Sequence, residues 1–163
     1  MTKTRKDLKN AYMQWCSGLE RPNRPMLKIG LDNADQIDLT DAMNLVSFEA
    51  SQITKSILNR YCFSFYLLSS VGLTYFTPAL LKLFVARDRP AMFEFTPYRA
   101  IFFEISDCGA PPSQLGDFLK SFSSEQRQLI GITYSWYSRY SARDWVGLRR
   151  FVNSECFAKL FVE

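Results

Sequence analysis

Proline and glycine breaks divide this chain into short segments, and most of these segments carry apolar residues at helical spacing. Over 4–16 the apolar side chains recur every three or four residues, which is the pattern of one buried helix face. Pro22 and Pro25 then prevent that helix from continuing. Strand-like alternation is weak, and only 26–31 and 61–68 are places where a strand fits. We therefore predict an all-α fold of about six to eight helices.

Helix caps indicate where the other helices begin. Thr40 or Asp41 is a suitable cap for a second helix, whose apolar face runs from Ala42 to Ile57. The later start signals combine a proline or a hydroxyl with a following apolar run, and they are Thr77-Pro78, Thr96-Pro97 and the capping box Ser123–Gln126. Two short helices, around Asp144–Val152 and Ser154–Phe161, complete the prediction.

The composition favours one globular domain over 1–163 with an aromatic-rich core. Hydrophobic residues make up 47% of the 163 residues, and 15% are aromatic. The stretch Tyr61–Leu81 has no charged residue and is long enough to cross a bilayer. Its serines, its threonines and the Thr77-Pro78 pair favour two buried core elements instead, so we predict no membrane insertion.

The complete absence of histidine limits the chemistry of this chain. Histidine is a frequent general base, a proton shuttle and the commonest metal ligand in proteins, and this chain has no residue that fills these roles in the same way. The cysteines at 16, 62, 108 and 156 form no C-x-x-C pair, so we predict no metal site, no cofactor and free thiols in a reducing cytoplasm.

Three weaker candidates for chemistry remain, and each has a structural explanation that we prefer. Cys108 precedes a glycine in a loop and is the best candidate for a reactive thiol, although an incidental thiol is the preferred interpretation. Glu104 and Asp107 would share one helical face and could bind a cation, although a solvated helix end is the expected explanation. Glu49 borders an apolar face, where pairing with a lysine or exposure to solvent is the expected outcome.

Two motifs resemble those of a family of small bacterial helical domains without a known function. The segment Leu73–Ala79 is similar to that family's Leu-x-Tyr-[Phe/Leu]-[Ser/Thr]-Pro helix start, and Ser123–Gln126 matches its [Ser/Thr]-x-x-Gln helix start. The likeness spans roughly Lys6 to Tyr140, and it departs where Phe84–Arg87 stands in place of a leucine-proline-alanine step. The resemblance implies a bacterial cytoplasmic helical domain with no catalytic residues, and it transfers no activity.

The C-terminal segment combines aromatic rings with arginines within a short span. These candidate partner-binding residues are Trp136, Tyr137, Arg139, Tyr140, Arg143, Trp145, Arg149 and Arg150. Such a set suits an interface with another protein, or stacking and phosphate contacts with single-stranded nucleic acid. Rings in the core and solvated arginines are the structural alternative.

The sequence therefore favours a non-catalytic bacterial protein-binding domain. One form of it is an immunity-type inhibitor that neutralises a toxin or another partner protein by occluding its surface. A nucleic-acid-binding accessory domain that uses the C-terminal cluster is the alternative, and homodimerisation is left open. Because the sequence contains no nucleic-acid-binding motif and its N-terminal half is locally acidic, protein binding ranks ahead of nucleic-acid binding.

Overall fold

The structure is a computed structural model that describes residues 4–31, 35–86, 96–140 and 146–162. Its α-helices are α1 (Arg5–Ser17), α2 (Gln36–Ser47), α3 (Lys55–Tyr61), α4 (Ser70–Val85), α5 (Leu115–Leu119), α6 (Ser124–Tyr140), α7 (Val146–Val152) and α8 (Glu155–Phe161). Shorter helical turns are the 3₁₀ turns Ala50–Gln52 and Phe63–Leu67 and the π-turn Arg99–Phe103. No strand occurs in these ranges, which confirms the all-α prediction.

The two segments with room for a strand are joined by one isolated antiparallel bridge, between Leu27 and Leu68. The Lys28 N–H donates to the Leu67 carbonyl at 2.9 Å, and the Ser69 N–H donates to the Met26 carbonyl at 2.8 Å. A side chain on Gly72 would collide with that same Met26 carbonyl. Glycine at this position therefore lets an extended segment cross the first turn of α4.

The chain divides into two compact units, each with its own buried residues. Lys9–Pro97 forms the N-terminal unit, and Tyr98–Glu163 together with Met1–Leu8 forms the C-terminal unit. Organisation of residues 1–163 as a single domain stays a prediction.

In the N-terminal unit, α4 begins earlier than the Thr77-Pro78 signal predicted. The Ser69 hydroxyl accepts the Gly72 N–H at 3.3 Å and caps the helix, so Pro78 lies in the helix interior and the predicted start was wrong. α4 is 16 residues long and almost entirely buried from Tyr75 onward. Within the described ranges, no helix combines the length and the apolar character that a bilayer crossing requires.

The predicted second helix is two helices in the structure. α2 starts one turn before Thr40, because the Asp35 carboxylate accepts the Ile37 N–H at 2.8 Å. It ends at Ser47, and α3 begins after Thr54, whose hydroxyl accepts the Ile57 N–H at 3.3 Å. On the predicted apolar face, Ala42, Leu45, Ala50 and Ile53 are buried, whereas Val46 and Ile57 are half-buried.

In the C-terminal unit, α6 starts at the predicted capping box. The Ser123 N–H donates to the Gln126 side chain at 2.9 Å, and the Gln126 N–H donates to the Ser123 hydroxyl at 3.3 Å. Helices α7 and α8 also confirm the two predicted C-terminal helices, with Ser154 capping α8.

Tyr134 on α6 lies at the centre of the C-terminal unit. Its ring packs against the rings of Phe102, Phe103, Phe151, Phe157 and Phe161, at centroid distances of 5.4 to 6.5 Å. Its hydroxyl donates to the Phe102 carbonyl at 2.6 Å in a buried environment. Gly131, one turn earlier on α6, leaves room for Phe161, because a β-carbon there would lie 2.7 Å from the Phe161 Cβ. Tyr134 thus links α6 to the π-turn, α7 and α8.

We expect the substitution Tyr134→Phe to lower the free energy of unfolding by about 1 to 2 kcal/mol, because the buried Phe102 carbonyl loses its hydroxyl donor. Urea unfolding followed by circular dichroism measures this loss. Tyr66→Phe is the control, since the Tyr66 ring is 47% exposed, and it should change the stability by less than about 0.5 kcal/mol. Equal effects of the two substitutions would contradict a structural role for the Tyr134 hydroxyl.

Candidate functional site

A cleft of about 520 Å³ opens beside α7 in the C-terminal unit. We call it the α7 cleft, and it is lined by Phe103, Ile105, Asp107, Val146, Gly147, Leu148 and Arg150. These residues come from the end of the π-turn, from the loop that follows it and from α7 itself. All of them belong to the C-terminal unit.

Two glycines allow the loop 104–110 to lie directly against α7. A β-carbon on Gly147 would collide with the Ser106 carbonyl, so the helix and the loop are in backbone contact there. Gly109 has a φ of 88°, and a β-carbon on it would lie 2.7 Å from the Arg150 Cβ. The Arg150 guanidinium also donates to the Asp107 carbonyl at 2.9 Å. One wall of the α7 cleft is therefore held at several points along its length.

Hydrogen bonds within the loop 104–110 fix its turn. The Ser106 N–H donates to the Ala110 carbonyl at 3.0 Å, and the Gly109 N–H donates to the Ser106 carbonyl at 2.8 Å. The Ser106 hydroxyl accepts the Ala110 N–H at 3.0 Å and lies 2.9 Å from the Cys108 sulfur. The loop is ordered by its own backbone, and it presents Cys108 to solvent.

The environment of Cys108 favours its thiolate. The Ser106 hydroxyl lowers the pKa of the Cys108 thiol below its ordinary value, because it hydrogen-bonds to the sulfur, and the Ala110 N–H and the Arg150 charge act in the same direction. Cys108 is not among the residues that line the α7 cleft. All four cysteines are free thiols, as predicted, with Cys16 and Cys62 buried and Cys156 exposed.

The predicted pairing of Glu104 and Asp107 on one helical face was wrong. The π-turn ends at Phe103, so both carboxylates lie in the loop and the helical spacing does not apply to them. Among the described residues, no group of three or more histidine, cysteine, aspartate or glutamate side chains is placed to hold a metal ion.

Glu49 is held by an arginine and a tyrosine in the N-terminal unit. Its carboxylate lies 3.5 Å from the Arg21 guanidinium and accepts the Tyr75 hydroxyl at 2.5 Å. Burial raises the pKa of the Tyr75 hydroxyl above its ordinary value, and the hydrogen bond to Glu49 adds to the shift. Arg21 also donates to the Val46 and Ser47 carbonyls at the end of α2. Glu49 thus pairs with a basic residue, as predicted, but the partner is an arginine and not a lysine.

The eight predicted partner-binding residues occupy different environments. Trp136 is only 8% exposed, and the half-buried Tyr137 ring packs against Phe103 with a centroid distance of 6.2 Å. Arg139, Arg149 and Arg150 are exposed, and only Arg150 of these lines the α7 cleft. Arg143, Trp145 and the side chain of Tyr140 lie outside the described residues.

Sequence reasoning missed most of the residues that form the α7 cleft. Asp107 had been considered only as a cation ligand together with Glu104, and Val146 lies inside the predicted helix Asp144–Val152, but nothing in the sequence places these two segments side by side. Gly147 was the available signal, because a glycine inside a helical segment often marks a close backbone approach.

We expect the substitution Ser106→Ala to slow the alkylation of Cys108 at pH 7 and to move the midpoint of its pH profile to higher pH. The thiolate is the reacting species, and the variant lacks the hydroxyl that stabilises it. Iodoacetamide labelling followed by peptide mass spectrometry gives the rate at this one site. Ser113→Ala, at an exposed serine nearby, should leave the profile unchanged. Superimposable profiles for wild type and Ser106→Ala would refute this account of the loop.

Comparison with known proteins identifies no relative. No protein-family model, no curated protein and no solved structure matches this chain. The geometry described above is therefore the basis for assigning a function.

Proposed function

We propose that this chain is a non-catalytic binding protein of the bacterial cytoplasm that takes a segment of a partner protein into the α7 cleft. The observation that carries the proposal is the composition of the α7 cleft, in which apolar side chains lie beside one exposed cation and one exposed anion. An immunity-type inhibitor, which neutralises a toxin or another partner by covering its surface, is the specific form of this proposal.

The apolar part of the α7 cleft suits a side chain supplied by a partner. Val146 is 45% exposed although it is aliphatic, and the half-buried Phe103 and Ile105 lie along the same cleft. A central apolar patch with a polar rim is the usual anatomy of a protein interface. Covering Val146 would remove apolar surface from water, which favours association.

The two charged residues of the α7 cleft can still form hydrogen bonds and ion pairs with a partner. Arg150 uses one N–H group on the Asp107 carbonyl, and it makes no other hydrogen bond or ion pair with the described residues. The Asp107 carboxylate likewise has no ion-pair partner among them. A partner segment with an apolar side chain next to a charged one would cover the apolar wall and pair with a charged residue of the cleft. Arginine is a frequent anchor in such contacts.

Nucleic acid is the alternative partner. Arg139, Arg149 and Arg150 are exposed cations of the kind that contact phosphates. Against this alternative, Trp136 is buried and so is not a platform for stacked bases, and the Asp107 carboxylate would repel a phosphate next to Arg150. These two observations favour a protein partner over nucleic acid.

A pair of valine substitutions tests the proposed use of the α7 cleft. We expect Val146→Asp to weaken retention of a partner protein by about tenfold or more, because it puts a charge where an apolar contact forms. Val162→Asp is the matched control, since Val162 is 65% exposed in the same unit and does not line the cleft. Affinity capture from the native host at low and moderate salt, read by quantitative mass spectrometry, gives both values.

Each outcome of this capture decides the proposal. A partner that is lost with Val146→Asp and kept with Val162→Asp, at both salt concentrations, supports it. A partner that both variants keep, or a second copy of this chain as the sole protein recovered, would overturn it. Recovery of nucleic acid that washes off as salt increases would favour the arginine-based alternative.

A further inference from the structure

A second cleft, of about 370 Å³, lies within the N-terminal unit and brings three lysines together. We call it the lysine cleft. Its cations are Lys9 on α1, Lys55 on α3 and Lys82 on α4, so three separate elements each supply one. From this geometry we propose that the lysine cleft binds a small phosphate ester that carries an apolar group. This site is independent of the partner-binding role proposed for the α7 cleft.

The positive charge in the lysine cleft is not compensated by the described residues. No carboxylate is among the described residues that line it, and none of its three lysines makes a hydrogen bond or an ion pair with the described part of the chain. Some other cations are engaged, such as Lys120 with Asp117 at 2.7 Å and Arg21 with Glu49 at 3.5 Å. Like charges around one cavity repel each other, and a bound anion would relieve that repulsion.

The floor of the lysine cleft adds no negative charge. Cys16 is buried there, and burial raises the pKa of its thiol to about 11, so the thiol is neutral at pH 7. The positive charge of Lys82 acts on this thiol in the opposite direction, but the effect of burial is larger.

Hydroxyl groups at the lysine cleft can complete the coordination of an oxyanion. Thr54 uses its oxygen to accept the Ile57 N–H, which leaves its hydroxyl hydrogen available to donate. The Ser51 hydroxyl has no hydrogen-bond partner among the described residues. A phosphate monoester carries nearly two negative charges at pH 7 and three acceptor oxygens. It can therefore bind several ammonium and hydroxyl donors at once, more than a single carboxylate can.

The remaining lining explains why the proposed ligand carries an apolar group. Ile53, Leu83 and Ala86 are buried beneath the opening, and Met13 is 47% exposed at its edge. The volume is in the range of clefts that hold small molecules. An inorganic phosphate ion would satisfy the lysines and leave this apolar surface uncovered.

Calorimetric titration with phenyl phosphate tests the proposal directly, with inorganic phosphate, benzoate and phenol as comparison ligands. We expect saturable 1:1 binding of phenyl phosphate that is about tenfold tighter than that of either anion used for comparison, and no binding of phenol. Amide spectra recorded during the titration should shift at Ser51 and Thr54, which locates the ligand. The absence of saturable binding, or equal affinities for phenyl phosphate and inorganic phosphate, would overturn the proposal.

Charge-removing substitutions separate a defined site from general attraction to a basic protein. Lys9 and Lys55 are exposed, so the double variant Lys9→Gln/Lys55→Gln should fold and should bind phenyl phosphate about tenfold or more weakly. Lys120→Gln/Lys159→Gln removes the same charge at two exposed positions that do not line the lysine cleft, and its affinity should stay within about twofold of wild type. Equal losses in the two double variants would mean non-specific attraction and would refute the site.

Discussion

The packing around Tyr134 is the interaction on which the C-terminal unit depends. Its ring contacts phenylalanines from the π-turn, α7 and α8, and its hydroxyl satisfies a buried carbonyl of the π-turn. Aromatic rings that meet edge to face bury much surface with a defined geometry. Because α7 and the π-turn both pack on this ring, the two sides of the α7 cleft are positioned by one residue that does not line it.

Glycine determines how closely the chain can approach itself at two points of the fold. Gly147 and Gly109 let the loop 104–110 lie on α7, so the loop becomes a wall of the cleft and presents Cys108 to solvent at the same time. Gly72 has a comparable role in the N-terminal unit, where the Met26 carbonyl crosses α4. At each of these positions a β-carbon would meet backbone atoms, which cannot move away as a flexible side chain can.

Local signals in the sequence predicted the helices well and their assembly poorly. The Ser123–Gln126 capping box and the apolar spacing of α1 are short-range features, and both were found. Thr77-Pro78 misled because Ser69 caps α4 eight residues before Thr77, which puts Pro78 inside the helix. The two clefts could not be predicted, because Lys9, Lys55 and Lys82 approach one another only through tertiary packing. Trp136 shows the same limit, since composition alone does not distinguish a core ring from a contact ring.

The α7 cleft, with its apolar walls and its two charged residues, is the surface that we propose a partner covers. Hydrogen exchange of the chain, alone and with its purified partner, tests this claim most directly. We expect slower exchange in peptides covering 103–110 and 146–150, with little change across α1 and α4. Slower exchange confined to other segments, with 103–110 and 146–150 unchanged, would contradict it.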